Sequence, residues 1–189
     1  MQKVSITAEE LNLLPPFEWP GEIIEIVTPQ GVRRALEILE REAVVGFDTE
    51  TRPSFKKGES YTPALLQLAT NTQAFVFRLK FYPFPAELRA FLEEKNILKV
   101  GVGIADDLNG LRKITSFSAQ GFVDIAAEAK RQGCKEAGLR PLTGLYLGQR
   151  LSKAAKLTNW EKTELSDSQL RYAAVDAVVG LLIYQKLLG

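Results

Sequence analysis

Apolar positions recur along the chain with two periods, and the change from one to the other marks successive elements. GEIIEIVT (21 to 28) reads as a short strand, and from Pro29 to Glu42 the spacing of Val32, Leu36 and Ile38 or Leu39 predicts a helix with one inward face. Val44, Val45 and Phe47 then form an unbroken apolar run, the pattern of a central strand covered on both sides, and acids appear where it ends. ALLQLATN and QAFVFRL, joined around Asn71 and Thr72, predict an antiparallel hairpin. Pro85 to Glu94 predicts a helix with proline in its first turn, and ILKVGVGI (97 to 104) predicts a second buried strand leading into a helix that begins near Asp106. GFVDI adds a short strand. Ala126 to Tyr146 is helical in pattern, interrupted at Gly138 and Pro141, and a polar, basic connection with Asn159 and Trp160 comes next. The last helix is the clearest: Ser166 and Gln169 have capping-box spacing, Asp167 suits the positive end of the helix dipole, and the apolar run continues to Leu188. Residues 1 to 21 read as an irregular extension, and no repeat or linker divides residues 22 to 189. The sum is a mixed sheet with helices on both faces.

Composition narrows the chemistry. At 189 residues and 46% apolar content the chain can bury one full core. No apolar stretch approaches the roughly 18 residues of a membrane span, and the single cysteine, Cys134, suits a reducing compartment, so the expected location is the cytoplasm. There is no histidine. Imidazole-activated nucleophiles and imidazole-based zinc sites are therefore excluded, leaving carboxylates, Lys, Tyr, backbone groups or a hard cation such as magnesium or manganese held by oxygen. The net charge of +1 is unevenly spread: residues 1 to 50 carry four basic against ten acidic side chains, and residues 130 to 162 carry eight basic against two acidic. The second stretch is either a phosphate-attracting face or a solvated surface.

Three acidic positions stand out. Side chains alternate along a strand, so in FDTE Asp48 and Glu50 point to one side of the sheet and Thr49 to the other. The carboxyl end of a strand in an open α/β sheet is where ligands usually bind, although a D-x-E triplet is also what a solvated strand end looks like. Asp176 lies within YAAVDAVVGLLI, where an ionised carboxylate needs a partner, a cation or a shifted pKa. Tyr172 and Gly180 share its helical face, and Gly180 suits close packing there. In GVGIADD the third glycine of a dinucleotide fingerprint is replaced by Asp106, so Gly101 and Gly103 are expected to serve close backbone packing, and one of Asp106 and Asp107 is expected to cap the next helix.

Taken in order, FDTE, GVGIADDLNGL and the pair Tyr172 with Asp176 resemble the three exonuclease motifs of the DEDD superfamily in its tyrosine-containing branch, to which ribonuclease D and the exonuclease domain of the Werner-syndrome helicase belong. PALLQLAT, LRPLTGLYLGQRLSK and TNWEKTELSDSQLRYAAVDA extend the similarity over roughly residues 22 to 188. The resemblance implies a ribonuclease-H-like α/β/α sandwich on a mixed, mainly five-stranded sheet, with residues 22 to 189 as the 3′-5′ exonuclease domain. It implies that Asp48, Glu50, Asp107 and Asp176 bind two Mg2+ or Mn2+ ions and that Tyr172 is the catalytic tyrosine, with Asp107 rather than Asp106 as the second-motif acid. The activity implied is hydrolysis from the 3′ end of DNA or RNA, releasing nucleoside 5′-monophosphates. Arg150, Lys153 and Lys156 are the expected phosphate contacts, Lys153 through the LSK segment. Trp160 either stacks on a base or packs beneath the loop. Two other readings stay open on the sequence alone, an inactive fold relative that binds nucleic acid and a magnesium-dependent phosphohydrolase of small nucleotides.

Overall fold

A computed structural model describes residues 4–54, 56, 58–152 and 158–189. Its sheet has strands β1 (Glu22–Ile26), β2 (Val44–Glu50), β3 (Leu65–Ala69), β4 (Gln73–Arg78), β5 (Leu98–Gly101) and β6 (Phe122–Asp124) in the order β1-β4-β3-β2-β5-β6. The pairs β4–β3 and β3–β2 are antiparallel, and β1–β4, β2–β5 and β5–β6 are parallel. The hairpin at Asn71 and Thr72 therefore forms as expected. The sheet has six strands, with the expected short strand in GFVDI pairing along β5 and making the second edge.

Helices α2 (Pro29–Leu39), α3 (Ala86–Glu93) and α4 (Ile104–Arg112) lie on one side. There Val32, Leu36, Leu88 and Phe91 meet the large side chains of the strands, among them Phe47, Leu66, Leu68, Phe75 and Phe77. The other side is covered by α5 (Ile125–Arg131), α6 (Leu139–Leu147) and the long α7 (Asp167–Leu188), whose Ala173, Ala174 and Ala177 press on Leu65, Ala69, Ala74 and Val76. Burial of both faces gives the three layers. The expected capping box of α7 is present: the Ser166 hydroxyl accepts from the Gln169 N–H while the Gln169 side chain accepts from the Ser166 N–H.

Three local expectations are corrected. Pro141 does not interrupt a helix; it lies in the first turn of α6, where its missing N–H breaks no intrahelical bond. Gly103 serves no close packing, since nothing lies within 4 Å of a Cβ built there; its φ of +72° makes the left-handed turn that starts α4 at Ile104, two residues before Asp106. The start of the chain is not irregular throughout. Thr7 and Glu10 close a capping box on α1 (Ala8–Leu13), which carries the buried Leu11 to Gly144 of α6.

From α1 the chain runs across the α6 side: the Phe17 N–H donates to the Arg150 carbonyl and the Arg150 N–H to the Pro15 carbonyl, both at 2.9 Å. The Trp19 indole donates to the Asn71 carbonyl at 3.0 Å, so this segment is fastened at both ends of its path. The loop before α7 is held from the opposite side. Buried Arg78 pairs with Glu25 and donates to the Lys162 carbonyl, and Glu161 accepts ion pairs from Lys80 at 3.6 Å and Arg52 at 3.5 Å.

Candidate metal centre

Helix α7 comes close to the sheet at Gly46. A Cβ on that residue would lie 2.0 Å from the Ala177 carbonyl oxygen, so only glycine lets the helix backbone rest directly on β2. The residue before Ala177 is Asp176. Asp48 and Glu50, alternating with Gly46 on the same face of β2, come up beneath it. One carboxylate oxygen from each of Asp48, Glu50 and Asp176 lies within 4.8 Å of the others, and all three residues are half-buried. Burial first, then the charges of Asp176, Asp107 and Glu50, push the Asp48 carboxyl well above its ordinary value. Three acids held this close favour either a proton or a cation. An all-oxygen donor set, in a chain with no histidine, fits a hard divalent ion.

Asp107 stands beside this group rather than in it. It sits in the first turn of α4 and accepts a hydrogen bond from the Thr49 hydroxyl, on the side of β2 away from Asp48. Burial raises its carboxyl, the Thr49 bond opposes that rise, and its charge still reaches Asp48. Asp106 is exposed. The structure thus gathers three of the four expected ligands and leaves the fourth beside them, bonded to Thr49. Thr49 escapes a reading of the sequence because its side chain points away from its acidic neighbours; the signal available is that a strand leading to a second acidic turn has a near neighbour on that side too.

Tyr172, one helical turn before Asp176, is half-buried and hydrogen-bonded to it. Burial, and then the charge of Asp176, raise its phenol above the ordinary tyrosine range, so it keeps its proton. Trp160 is fully buried with its ring 6.0 Å from that of Tyr172, inclined by 32°. The stacking reading is therefore corrected. No face of the indole is open to a base, and Trp160 packs beneath the loop and backs the tyrosine. Arg150 is half-buried with its Nε donating to the Leu14 carbonyl at 2.9 Å, so it anchors the N-terminal segment. Lys153 and Lys156 lie outside the described residues. A cavity of about 240 Å³ opens beside the acids, lined by Phe17, Leu151, Ser152, Arg171, Tyr172 and Asp176 among others. Its Phe17 wall comes from the N-terminal segment, where no sequence motif marks it.

Residues 23–189 match the family model described as 3′-5′ exonuclease. The bifunctional 3′-5′ exonuclease/ATP-dependent helicase WRN of Mus musculus is 33% identical over 184 residues, which are 92% of this chain and 13% of that protein. The chain thus spans a small part of that relative. Escherichia coli RNase D, an exoribonuclease involved in structured RNA processing, superimposes with a TM-score of 0.80 at 21% identity, covering 91% of this chain and 44% of that one. Trypanosoma brucei RNase D in complex with RNA U12 gives 0.79 at 17% identity, covering 90% and 63%. These structures share the fold: a mixed sheet between helical layers of the RNase-H-like kind. With the family match running over nearly the whole of the sheet and all of α7, the chain belongs to the 3′-5′ exonuclease family.

Proposed function

We propose that this chain hydrolyses the terminal phosphodiester bond at the 3′ end of a nucleic acid, releasing nucleoside 5′-monophosphates, with Asp48, Glu50, Asp107 and Asp176 holding two Mg2+ or Mn2+ ions. The observation that carries the reading is the convergence of Asp48, Glu50 and Asp176 to within 4.8 Å on the face where α7 meets β2. Three like charges kept together without a cation destabilise a fold, so their retention argues for a use and against an inactive binding module. Bound there, divalent ions supply Lewis acidity and a water acidic enough to attack near neutral pH.

The chain's own residues do the rest. Asp48 and Glu50 are fixed by the pleat of β2 and Asp176 by the seating of α7 on Gly46, so the carboxylates arrive already oriented. Asp107 is aimed by the Thr49 hydroxyl. Tyr172 holds its proton on the phenol and is too weak an acid to serve as base, so its role is to hold the attacking water and the terminal phosphate by hydrogen bonding. The cavity next to Tyr172 and Asp176, with Arg171 on its wall, gives the end of the strand a place to enter.

Degradation of end-labelled oligonucleotides tests this. Single-stranded RNA, single-stranded DNA and a 3′-recessed duplex are each incubated with magnesium, manganese or chelator. A ladder shortened from the 3′ end, dependent on metal, is the expected result, and its strength on the three substrates separates DNA from RNA. Binding without cleavage in every metal would overturn the proposal in favour of a binding module.

A further inference from the structure

Among the described residues six polar side chains are wholly or almost wholly buried: Gln67, Thr70, Arg78, Lys99, Thr143 and Gln169. Five of them have hydrogen-bond partners: Thr70 at Gln73, Arg78 at Glu25, Lys99 at the Glu94 carbonyl, Thr143 at the Leu139 carbonyl and Gln169 at Thr158. Gln67 is the exception among these; the buried Arg140 Nε and Trp160 Nε1 are also unbonded, one atom each, whereas Gln67 is unbonded at both ends of its amide. It is 0% exposed, and neither its Nε2 nor its Oε1 has a partner. A buried amide left unbonded at both ends opposes folding, so its presence points to something that completes it.

The register shows where. Gln67 lies directly opposite Asp48 across the β2–β3 pair, and opposite Val76 across the β3–β4 pair. Cross-strand partners share a face with Cβ atoms roughly 4.5 to 5.5 Å apart, which is within reach of a glutamine side chain. Its neighbours along the same face of β3 are Leu65 and Ala69, and Ala173, Ala174 and Ala177 of α7 pack on this region. Asp48 is thus the polar group that the sheet itself places next to the amide. We infer that Gln67 is a positioning residue for Asp48: its Nε2–H donates to the Asp48 oxygen that faces the sheet, leaving the other oxygen to a divalent cation. The inference rests on the metal-site reading above. A cation held by Asp48, Glu50 and Asp176 would fix the Asp48 carboxylate in place for the amide to donate to. Hydrogen bonds to metal-ligating groups of this kind change metal affinity about 10- to 100-fold.

The experiment uses the purified full chain and Mn2+ as probe, without substrate. Mn2+ affinity is measured by calorimetric titration, and melting by circular dichroism in chelator and in Mn2+, for the parent, Gln67→Met and Gln67→Leu, both of which keep similar volume without an amide. Both variants are expected to melt at or above the parent in chelator, because the unbonded amide is gone, and below it in saturating Mn2+, with Mn2+ affinity down at least tenfold. This crossing is the signature, since a purely structural glutamine would shift both melts in the same direction and leave the affinity unchanged. That second outcome in either folded variant overturns the role of Gln67 while the parent's own Mn2+ binding still stands. A parent that binds no Mn2+ overturns the metal-site reading and this inference with it. Failure of both variants to fold, beside a parent that does, would assign Gln67 to the core and overturn the proposal.

Discussion

Toward α2 and α3 the central strands present Phe47, Leu66, Leu68, Phe75 and Phe77, and toward α7 the same strands present Gly46, Asp48, Glu50, Gln67, Ala69 and Ala74. The first face is filled by large apolar side chains, and burial of such groups is the main source of stability. The second carries small and polar residues beside Leu65 and Val76, and its helix answers with alanines. That face contributes less per residue, but it lets the two backbones approach until a carbonyl of α7 rests on Gly46. A few tenths of an ångström matter for a group of carboxylates and hardly at all for a pair of phenylalanines. The sheet therefore separates its two tasks by face, and each can be altered with limited effect on the other.

The largest expected effect comes from the acids. Asp48→Ala or Asp107→Ala should lower 3′ cleavage by about three orders of magnitude or more with the circular dichroism spectrum unchanged, and Tyr172→Phe should do less harm. If Asp107→Ala kept most of its activity while Asp106→Ala lost it, the second-motif acid would be the exposed one. On the opposite face Phe75→Ala should cost about 3 to 5 kcal/mol in denaturant unfolding while the folded protein keeps the parent's Mn2+ affinity. A loss of affinity there would show that the two faces are coupled. Gly46→Ala should cross the boundary. The added methyl must push α7 off β2, costing about 1 to 3 kcal/mol by unfolding and weakening Mn2+ binding together.

The smallest effect on stability concerns charge. Burial and the neighbouring carboxylates raise Asp48 in the folded chain, so between the unfolded carboxyl value of about 4 and that raised value the folded state holds a proton which the unfolded state has released. Stability without metal is then greatest at the acidic end of this window and falls as pH rises through it. Asp176→Asn removes one of the repelling charges. It should flatten that slope, melt somewhat higher than the parent in chelator at neutral pH, gain less from Mn2+ and be nearly inactive. A parent indifferent to metal, with a mutant that melts lower in chelator, would make Asp176 a structural hydrogen-bonding group.

What can be read from the sequence divides along physical lines. Strand positions, the hairpin and the capping box of α7 are set by local period and local hydrogen bonding, so they are legible. Asp48 and Glu50 share a face for the same reason. The helix α1 is legible too, through Thr7 and Glu10, but a six-residue helix carries too little apolar periodicity to draw attention. The roles of Trp160 and Arg150 are not, because their surroundings come from elsewhere in the chain: Lys80, Arg52 and Arg78 pin the loop around the first, and Leu14 to Phe17 occupy the second. Gln67 is invisible, since a single glutamine in LLQLA differs from a solvated strand position only once both faces are known to be covered.

The seating of α7 on Gly46 also bears on the order of events during synthesis. A chain emerging from the ribosome carries Asp48 and Glu50 early, but the helix that brings Asp176 and Tyr172 is made only after all six strands. Until it docks, Leu65, Ala69, Ala74 and Val76 have no cover from it, and the acids lack their third member. One docking step thus closes the core and assembles the carboxylates, so the three acids come together only after all six strands and α7 have been made.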